Sequence, residues 1–222
     1  MSRGSLRICV GPMFSGKTTW LNGELTELAD FGLNCLKIVH EADKQRDPLV
    51  PPVEIEGIAS GSTGSTGASE LKTSGFSHSS SYKMLSSKID VRFTDKLTNL
   101  QDLSEYSIIG IDEGQFFPDL VEFVQFCLAK DKHILVAGLD GDFQQRKFGL
   151  ILDLIPMCDE VQKKLSRCKL CLSENINHHN PMILKAPFSA KINGNGTAAG
   201  VIDIGGEDKY MPVCRYHHNT ER

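Results

Sequence analysis

A glycine-rich string near the start of the chain could hold the phosphates of a nucleotide. The string is Gly11-Pro12-Met13-Phe14-Ser15-Gly16-Lys17-Thr18. It matches the P-loop pattern of glycine, four residues, then Gly-Lys-Ser/Thr, in which backbone N–H groups and a helix N-terminus surround phosphate oxygens. The pattern predicts that Lys17 bridges the β- and γ-phosphates of ATP and that Thr18 binds Mg²⁺. A glycine-rich turn without a ligand is the alternative.

Two adjacent carboxylates form a second candidate site. Asp112 and Glu113 directly follow the apolar run Ile108 to Ile111. Taken alone, an acidic pair after a strand is more often a helix cap or a solvated turn. In a chain with a P-loop, however, the acidic residue at the end of a parallel strand faces the phosphates and orients Mg²⁺, directly or through water. We therefore assign Asp112 to the metal, which leaves Glu113 free for another role.

Two short pairs near the C-terminus have the spacing of zinc ligands. Cys168 and Cys171 are separated by two residues, and so are Cys214 and His217. Three thiolates and one imidazole can complete a tetrahedral Zn²⁺ site, and a site with four protein ligands is structural rather than catalytic. A redox-active thiol pair is the alternative chemistry, and His218 is an alternative to His217 as the fourth ligand.

The elements that must position these residues alternate along the chain. Apolar runs predict strands at Leu6–Val10, Cys35–Val39, Ile108–Ile111 and Ile134–Ala137, and helical spacing predicts helices from Lys17 towards Gly32 and over Leu120–Leu128. Strands that are apolar throughout and alternate with helices indicate a parallel sheet covered on both faces. The predicted fold class is therefore α/β.

Composition excludes several classes of protein. The 222 residues are 40% hydrophobic and 23% charged, which is unlike a collagen, a coiled coil or a fully disordered chain. A net charge of −4 disfavours a nucleic-acid polymer as the main partner. The sequence has neither a membrane-spanning apolar run nor a signal peptide, so we expect no membrane partner and a cytoplasmic location. We expect the thiols outside the zinc pairs to be reduced and buried: Cys9, Cys35, Cys127 and Cys158.

Four blocks together resemble one family. They are Gly11 to Thr18, Asp112 to Phe117, Leu139 to Gln144 and Gly205 to Tyr210. In this order they are similar to the cytosolic, type II thymidine kinases, and the resemblance extends from about Leu6 to His217. Without it, the residues indicate only a phosphoryl transferase or hydrolase that uses a Mg²⁺-nucleotide.

The resemblance implies transfer of the γ-phosphoryl group of ATP to the 5′-hydroxyl of thymidine, with deoxyuridine as a further acceptor. It implies that Glu113 is the catalytic base, and it groups Gly114 and Gln115 with the residues that bind ATP and Mg²⁺. The implied architecture is a RecA-like P-loop domain over residues 1–165, followed by a zinc-binding lobe over 166–222 that carries a lasso loop. The Ser/Gly-rich residues 57–87 are predicted to be a flexible insertion, and 175–200 a loop.

The resemblance also assigns a nucleoside pocket. Its base-facing residues are Met13, Phe116, Leu139, Phe143 and Phe148, and its lasso comprises Val201, Ile202, Asp203, Ile204, Gly205 and Tyr210. Taken singly, a Phe or Leu after a strand is more often a core residue, and residues 201–204 could be a plain edge strand. The family also has a small polar side chain near the thymine methyl group, expected around His178 but assigned to no residue.

Assembly and competing functions complete the expectations. The resemblance implies a homotetramer and feedback inhibition by thymidine triphosphate. One competing function is a P-loop ATPase whose zinc knuckle binds a nucleic acid or a protein, and another is a nucleotide-binding module without catalysis. The first is disfavoured by the charge balance. The second is disfavoured because Lys17, Thr18, Asp112 and Glu113 are all present.

Overall fold

The computed structural model describes residues 3–42, 89–173, 184–192 and 209–220. The predicted insertion at 57–87 and the lasso residues Val201, Ile202, Asp203, Ile204 and Gly205 lie outside the described residues, and so does His178. Within the described ranges the fold consists of a six-stranded sheet with helices on both faces, followed by shorter elements that carry the Cys/His pairs.

Six parallel strands form the central sheet. They are β1 (Ser5–Val10), β2 (Cys35–His40), β3 (Ile89–Thr94), β4 (Ile108–Ile111), β5 (His133–Gly138) and β6 (Glu160–Lys163). Their order across the sheet is β3-β2-β4-β5-β1-β6. Because every pairing is parallel, the carboxyl ends of all six strands lie at one edge. The four strands predicted from the sequence are confirmed, whereas β3 and β6, at the two ends of the sheet, were not predicted.

Helices cover both faces of this sheet. On one face α1 (Lys17–Asp30) buries Leu21, Leu25 and Ala29 against β2, β4 and β5. On the other face α2 (Leu120–Ala129) buries Phe123 and Val124 against the remaining sheet side chains. Gly110 in β4 permits the close approach of α1, because a Cβ there would lie 2.7 Å from Leu25 Cδ1. The predicted α/β class is confirmed.

Shorter elements follow the sheet. They are β7 (Ser166–Arg167), α3 (Lys169–Ser173), β8 (Lys185–Ala186), β9 (Phe188–Lys191), β10 (Tyr210–Val213) and α4 (Arg215–Thr220). Strand β10 pairs antiparallel with β9, and β7 pairs antiparallel with β8. The prediction of a loop over 175–200 is wrong for the stretch containing β8 and β9, because cross-strand pairing orders residues that have little periodicity of their own.

The cysteines outside the Cys/His pairs are expected from the sequence to be reduced and buried. All seven cysteines are free thiols, and Cys9, Cys35 and Cys127 are buried as predicted. Cys158 is only half-buried, so the prediction of burial is wrong for this residue, whose position after a 3₁₀ helix leaves its side chain at the surface. In the described parts of the chain, no helix is both long and apolar enough to cross a membrane.

Candidate functional site

The glycine-rich string connects β1 to α1 and folds back on itself. The ammonium of Lys17 and the hydroxyl of Ser15 both donate to the carbonyl of Pro12, at 2.7 and 2.8 Å. Phe14 has a left-handed backbone, φ 58°, and its side chain is exposed. Burial lowers the pKa of Lys17, an effect that Glu113 and Asp112 partly oppose. The ammonium of Lys17 is thus buried at the carboxyl edge of the sheet. A bound anion there would offset the cost of removing this charge from water.

Asp112 directly follows β4 and lies at the same edge of the sheet as the P-loop. The Thr18 hydroxyl donates to Asp112 Oδ1 at 3.1 Å, and the ammonium of Lys37 lies 3.2 Å from Asp112 Oδ2. Lys37 is fully buried in β2, so its charge is compensated by this carboxylate. Sequence reasoning did not select Lys37, although a lone lysine within the otherwise apolar run Cys35–Val39 is a usable signal. The hydroxyl and carboxylate oxygens of Thr18 and Asp112 are the donor types that Mg²⁺ prefers.

The Glu113 carboxylate is held by a bridging amide. Gln115 Nε2 donates to Glu113 Oε2 at 2.6 Å, and Gln115 Oε1 accepts from the backbone N–H of Leu139 at 2.8 Å. Gln115 is buried, whereas Glu113 is half-buried and has a left-handed backbone, φ 49°. The amide therefore fixes one carboxylate oxygen of Glu113 and joins the ends of β4 and β5. Both residues were selected from the sequence, but this direct contact was not.

We expect Gly149→Ala to lower the free energy of unfolding by about 1–3 kcal/mol. Gly149 has φ +60°, and a Cβ there would lie 2.1 Å from the carbonyl oxygen of Gln115. The backbone must shift at the residue that holds Glu113. Denaturant unfolding of the two proteins measures the difference.

Gly23→Ala is the matched control. Gly23 is exposed within α1, and a Cβ there has no neighbour within 4 Å. This variant should instead be more stable by about 0.5–1 kcal/mol, because alanine is the better helix former. Equal stability of both variants would contradict the crowding at Gly149.

The predicted base-facing residues share one degree of burial. All five are half-buried: Met13, Phe116, Leu139, Phe143 and Phe148. The Phe116 ring meets the Phe148 ring edge-on at 5.7 Å, and the Phe143 ring lies 6.4 Å from that of Tyr210. Phe117, by contrast, is completely buried in the core. Phe117 is therefore a core residue, whereas Phe116 presents part of its ring at the surface, where a planar ligand could cover it.

Two serines from the C-terminal elements contact the P-loop. Ser189 Oγ in β9 accepts from the backbone N–H of Met13 at 3.0 Å, and Ser166 Oγ donates to the carbonyl of Phe14 at 3.0 Å. Sequence reasoning missed both serines, since no spacing relates them to the P-loop. Ser189 is buried and places a small polar side chain beside Met13.

Cys168, Cys171, Cys214 and His217 converge into one buried cluster. Their ligand atoms lie within 4.8 Å of one another. His217 Nδ1 is 3.3 Å from the sulfurs of Cys168 and Cys171 and 3.4 Å from that of Cys214. Zinc bonds of about 2.3 Å to sulfur and 2.0–2.1 Å to nitrogen place tetrahedral donors about 3.5–3.8 Å apart. The four residues therefore fit a zinc ion, with His217 rather than His218 as the imidazole.

Two thiols of this cluster, Cys168 and Cys171, have pKa values shifted in opposite directions. Burial opposes ionisation of Cys168, but N–H groups of Cys171 and Cys214 offset it and lower its pKa to about 7. Burial and the neighbouring sulfurs raise the pKa of Cys171 to about 12. A divalent cation at the centre would reverse that second effect, because it stabilises every thiolate around it.

Comparison with known proteins gives consistent matches over nearly the whole chain. The family model described as thymidine kinase matches residues 71–218. The thymidine kinase of raccoon poxvirus is 32% identical over 216 residues, which are 97% of this chain and 97% of that protein. The cytosolic thymidine kinase of Bos taurus is 32% identical over 220 residues, 96% of this chain and 71% of that protein. The thymidine kinase of vaccinia virus strain Western Reserve is 31% identical over 215 residues.

Proposed function

The chain belongs to the thymidine kinase family, and on that basis we propose that it transfers the γ-phosphoryl group of ATP to the 5′-hydroxyl of thymidine. The product would be thymidine monophosphate, and deoxyuridine, which lacks one methyl group, would be a further acceptor. The observation that carries the proposal is the convergence of Thr18, Asp112 and Glu113 at the carboxyl edge of the sheet, next to Lys17.

Charge on the phosphates would be met from two sides. Lys17 and the P-loop backbone, from Gly11 to Thr18, would bind the β- and γ-phosphates. Thr18 and Asp112 would hold Mg²⁺, which when bound offsets negative charge on the transferred group. Lys37 supports this arrangement by holding the other oxygen of Asp112 at 3.2 Å. Gly114 and Gln115 would belong to the same site. They form the turn that follows Asp112, and Gln115 links this turn to the end of β5.

Glu113 would act as the general base. As the 5′-oxygen of the nucleoside attacks the γ-phosphorus, its proton passes to the Glu113 carboxylate, and the bond between that phosphorus and the β–γ bridging oxygen breaks. Gln115 occupies Glu113 Oε2. This contact restricts rotation of the carboxylate that would accept the proton of the substrate hydroxyl.

The nucleoside would bind against the half-buried apolar side chains that follow β1, β4 and β5 and against the buried Tyr210 of β10. We assign it to Met13, Phe116, Leu139, Phe143, Phe148 and Tyr210, with Val201, Ile202, Asp203, Ile204 and Gly205 as the lasso. Thioether and aromatic groups suit the faces of a nucleobase. Ser189, which contacts Met13, would be the small polar residue near the thymine methyl group.

The Cys/His cluster would hold a structural zinc ion. Residues 166–222 would then form a zinc-binding lobe on the P-loop domain of residues 1–165, and the metal would hold the ends of the lasso. A cytoplasmic location is supported by the cytosolic bovine relative. Homotetramer assembly and feedback inhibition by thymidine triphosphate are proposed from family membership alone.

Labelled ATP should give labelled thymidine monophosphate when thymidine is present, and little product with deoxycytidine or without an acceptor. Product identification by chromatography measures this, with deoxyuridine as a further arm to test the role of the methyl group. Hydrolysis of ATP at the same rate without an acceptor would instead indicate an ATPase. Absence of turnover in all arms, with ATP bound, would indicate a module without catalysis.

A further inference from the structure

His218 lies next to a predicted metal ligand, yet its ring faces the loop that carries Phe143. The residue is 3% exposed. Its Nε2 lies 2.9 Å from the carbonyl oxygen of Phe143, and its Nδ1 lies 3.2 Å from the side-chain nitrogen of Gln145. A carbonyl oxygen can only accept, so Nε2 donates to Phe143, and Nδ1 pairs with the side-chain amide of Gln145. Both ring nitrogens are therefore bound to the same loop.

That loop is a compact unit, which we call the Phe143 turn (residues 141–147). Gly141 and Lys147 pair at its base, and the N–H of Asp142 donates to the carbonyl of Arg146 at 2.9 Å. The Asp142 carboxylate accepts from the N–H groups of Gln144 and Arg146, at 2.8 and 2.9 Å. Because these hydrogen bonds lie within the turn, we expect residues 141–147 to move as one rigid unit. Contacts from outside therefore decide where the Phe143 ring lies.

The opposite side of His218 is fixed to the Cys/His cluster. Its backbone N–H donates to the carbonyl of Cys214 at 3.0 Å, and His217 precedes it in α4. Its ring lies 5.3 Å from that of Phe188 in β9, beside Ser189. One short helix thus presents His217 to the metal cluster and His218 to the Phe143 turn.

We propose that His218 is a positioning residue that couples metal binding to the nucleoside pocket by holding the Phe143 turn in place. The coupling to the pocket rests on the proposed function, since Phe143 is assigned to the nucleoside there. When the metal fixes α4, the two hydrogen bonds of His218 fix the turn. Phe143 then meets Tyr210, whose strand β10 leads directly into Cys214. No contact between substrate and His218 is needed.

Hydrogen exchange of the zinc-loaded full-length protein tests this coupling without substrate. His218→Phe keeps the ring but removes both hydrogen bonds, and amides of residues 141–147 should exchange at least about 10-fold faster while zinc content is unchanged. His218→Gln keeps an N–H donor near the Nε2 position, and it should restore most of the protection. Unchanged exchange in His218→Phe with zinc retained would overturn the proposal.

Gln145→Met tests the same contact from the turn. Gln145 is exposed, so the variant leaves the core and the metal ligands intact. It should also accelerate exchange of the turn, by a smaller factor than His218→Phe. If His218→Phe loses zinc, this variant decides the question: a fully protected turn overturns the proposal.

Kinetics separate this coupling from the proposed function. In His218→Phe the KM for thymidine should rise about 10-fold, while kcat and the KM for ATP stay within about twofold. Equal increases in both KM values would indicate a general structural defect and overturn the coupling to the pocket. A wild-type protein that is inactive with thymidine, but whose turn still depends on His218, would refute the proposed function and the pocket coupling while leaving the positioning of the turn.

Discussion

Glu113→Gln is expected to reduce kcat by about 10²–10⁴-fold while leaving ATP and thymidine affinities close to those of the wild type. The amide has the shape of the carboxylate, and its oxygen can still accept from Gln115, but it cannot take the proton of the 5′-hydroxyl. Binding of each substrate by calorimetry, together with steady-state turnover, measures the two quantities separately. A loss confined to kcat is the signature of an interaction needed only in the transition state.

Glu122→Gln is the matched control for this substitution. Glu122 is exposed in the first turn of α2 and is not among the residues assigned to the site. The same loss of one negative charge there should leave kcat and both affinities unchanged. Turnover of Glu113→Gln within about twofold of the wild type would refute Glu113 as the base. Such a result would instead favour deprotonation of the 5′-hydroxyl by water.

Cys168→Ser is expected to lose most of the bound zinc, to lower thermal stability and to raise the KM for thymidine by at least about 10-fold. Structural zinc sites contribute apparent binding energies of about 10–16 kcal/mol in small peptides, and a serine hydroxyl is a poor replacement for a thiolate. Without the metal, α4 and β10 lose their common anchor next to the predicted pocket. Zinc analysis after gel filtration, thermal unfolding and steady-state kinetics measure the three effects.

Cys158→Ser is the corresponding control. The Cys158 thiol lies outside the cluster and donates to the carbonyl of Ile155 at 3.2 Å, which a hydroxyl can also do. Its zinc content and kinetics should match the wild type. A Cys168→Ser protein that is free of zinc but has the wild-type KM would contradict the role of the metal in holding the pocket.

Local patterns predicted the parts of the fold with the strongest local signals. Buried central strands such as β4 and β5 are apolar at almost every position, and this makes them visible in the sequence. Strand β6 has four exposed residues, and β3 contains Asp90 and Arg92, so neither shows the same pattern. Edge strands face neighbours on one side only, and their apolar signal is correspondingly weak.

The candidate site shows the same division. The P-loop string lies where the pattern predicts, between β1 and α1, and the Cys/His pairs converge as their spacing indicates. Individual contacts were less predictable. The resemblance groups Gln115 with the residues that bind ATP and Mg²⁺, and in the structure its side-chain amide contacts Glu113 Oε2 and the backbone N–H of Leu139. An amide side chain has several possible partners, and only the neighbouring strand end selects among them.

The sequence by itself indicated the chemistry available to this protein: a P-loop string, two carboxylates after a strand and four residues in two pairs that could hold a metal ion. Each depends on residues a few positions apart, whose geometry follows from one turn or one strand. Tertiary structure alone decided which distant groups support them. Lys37 meets Asp112 across adjacent strands, Ser189 reaches Met13 over 176 positions, and His218 reaches Phe143 over 75. Such contacts have no spacing to detect, because packing of whole elements creates them.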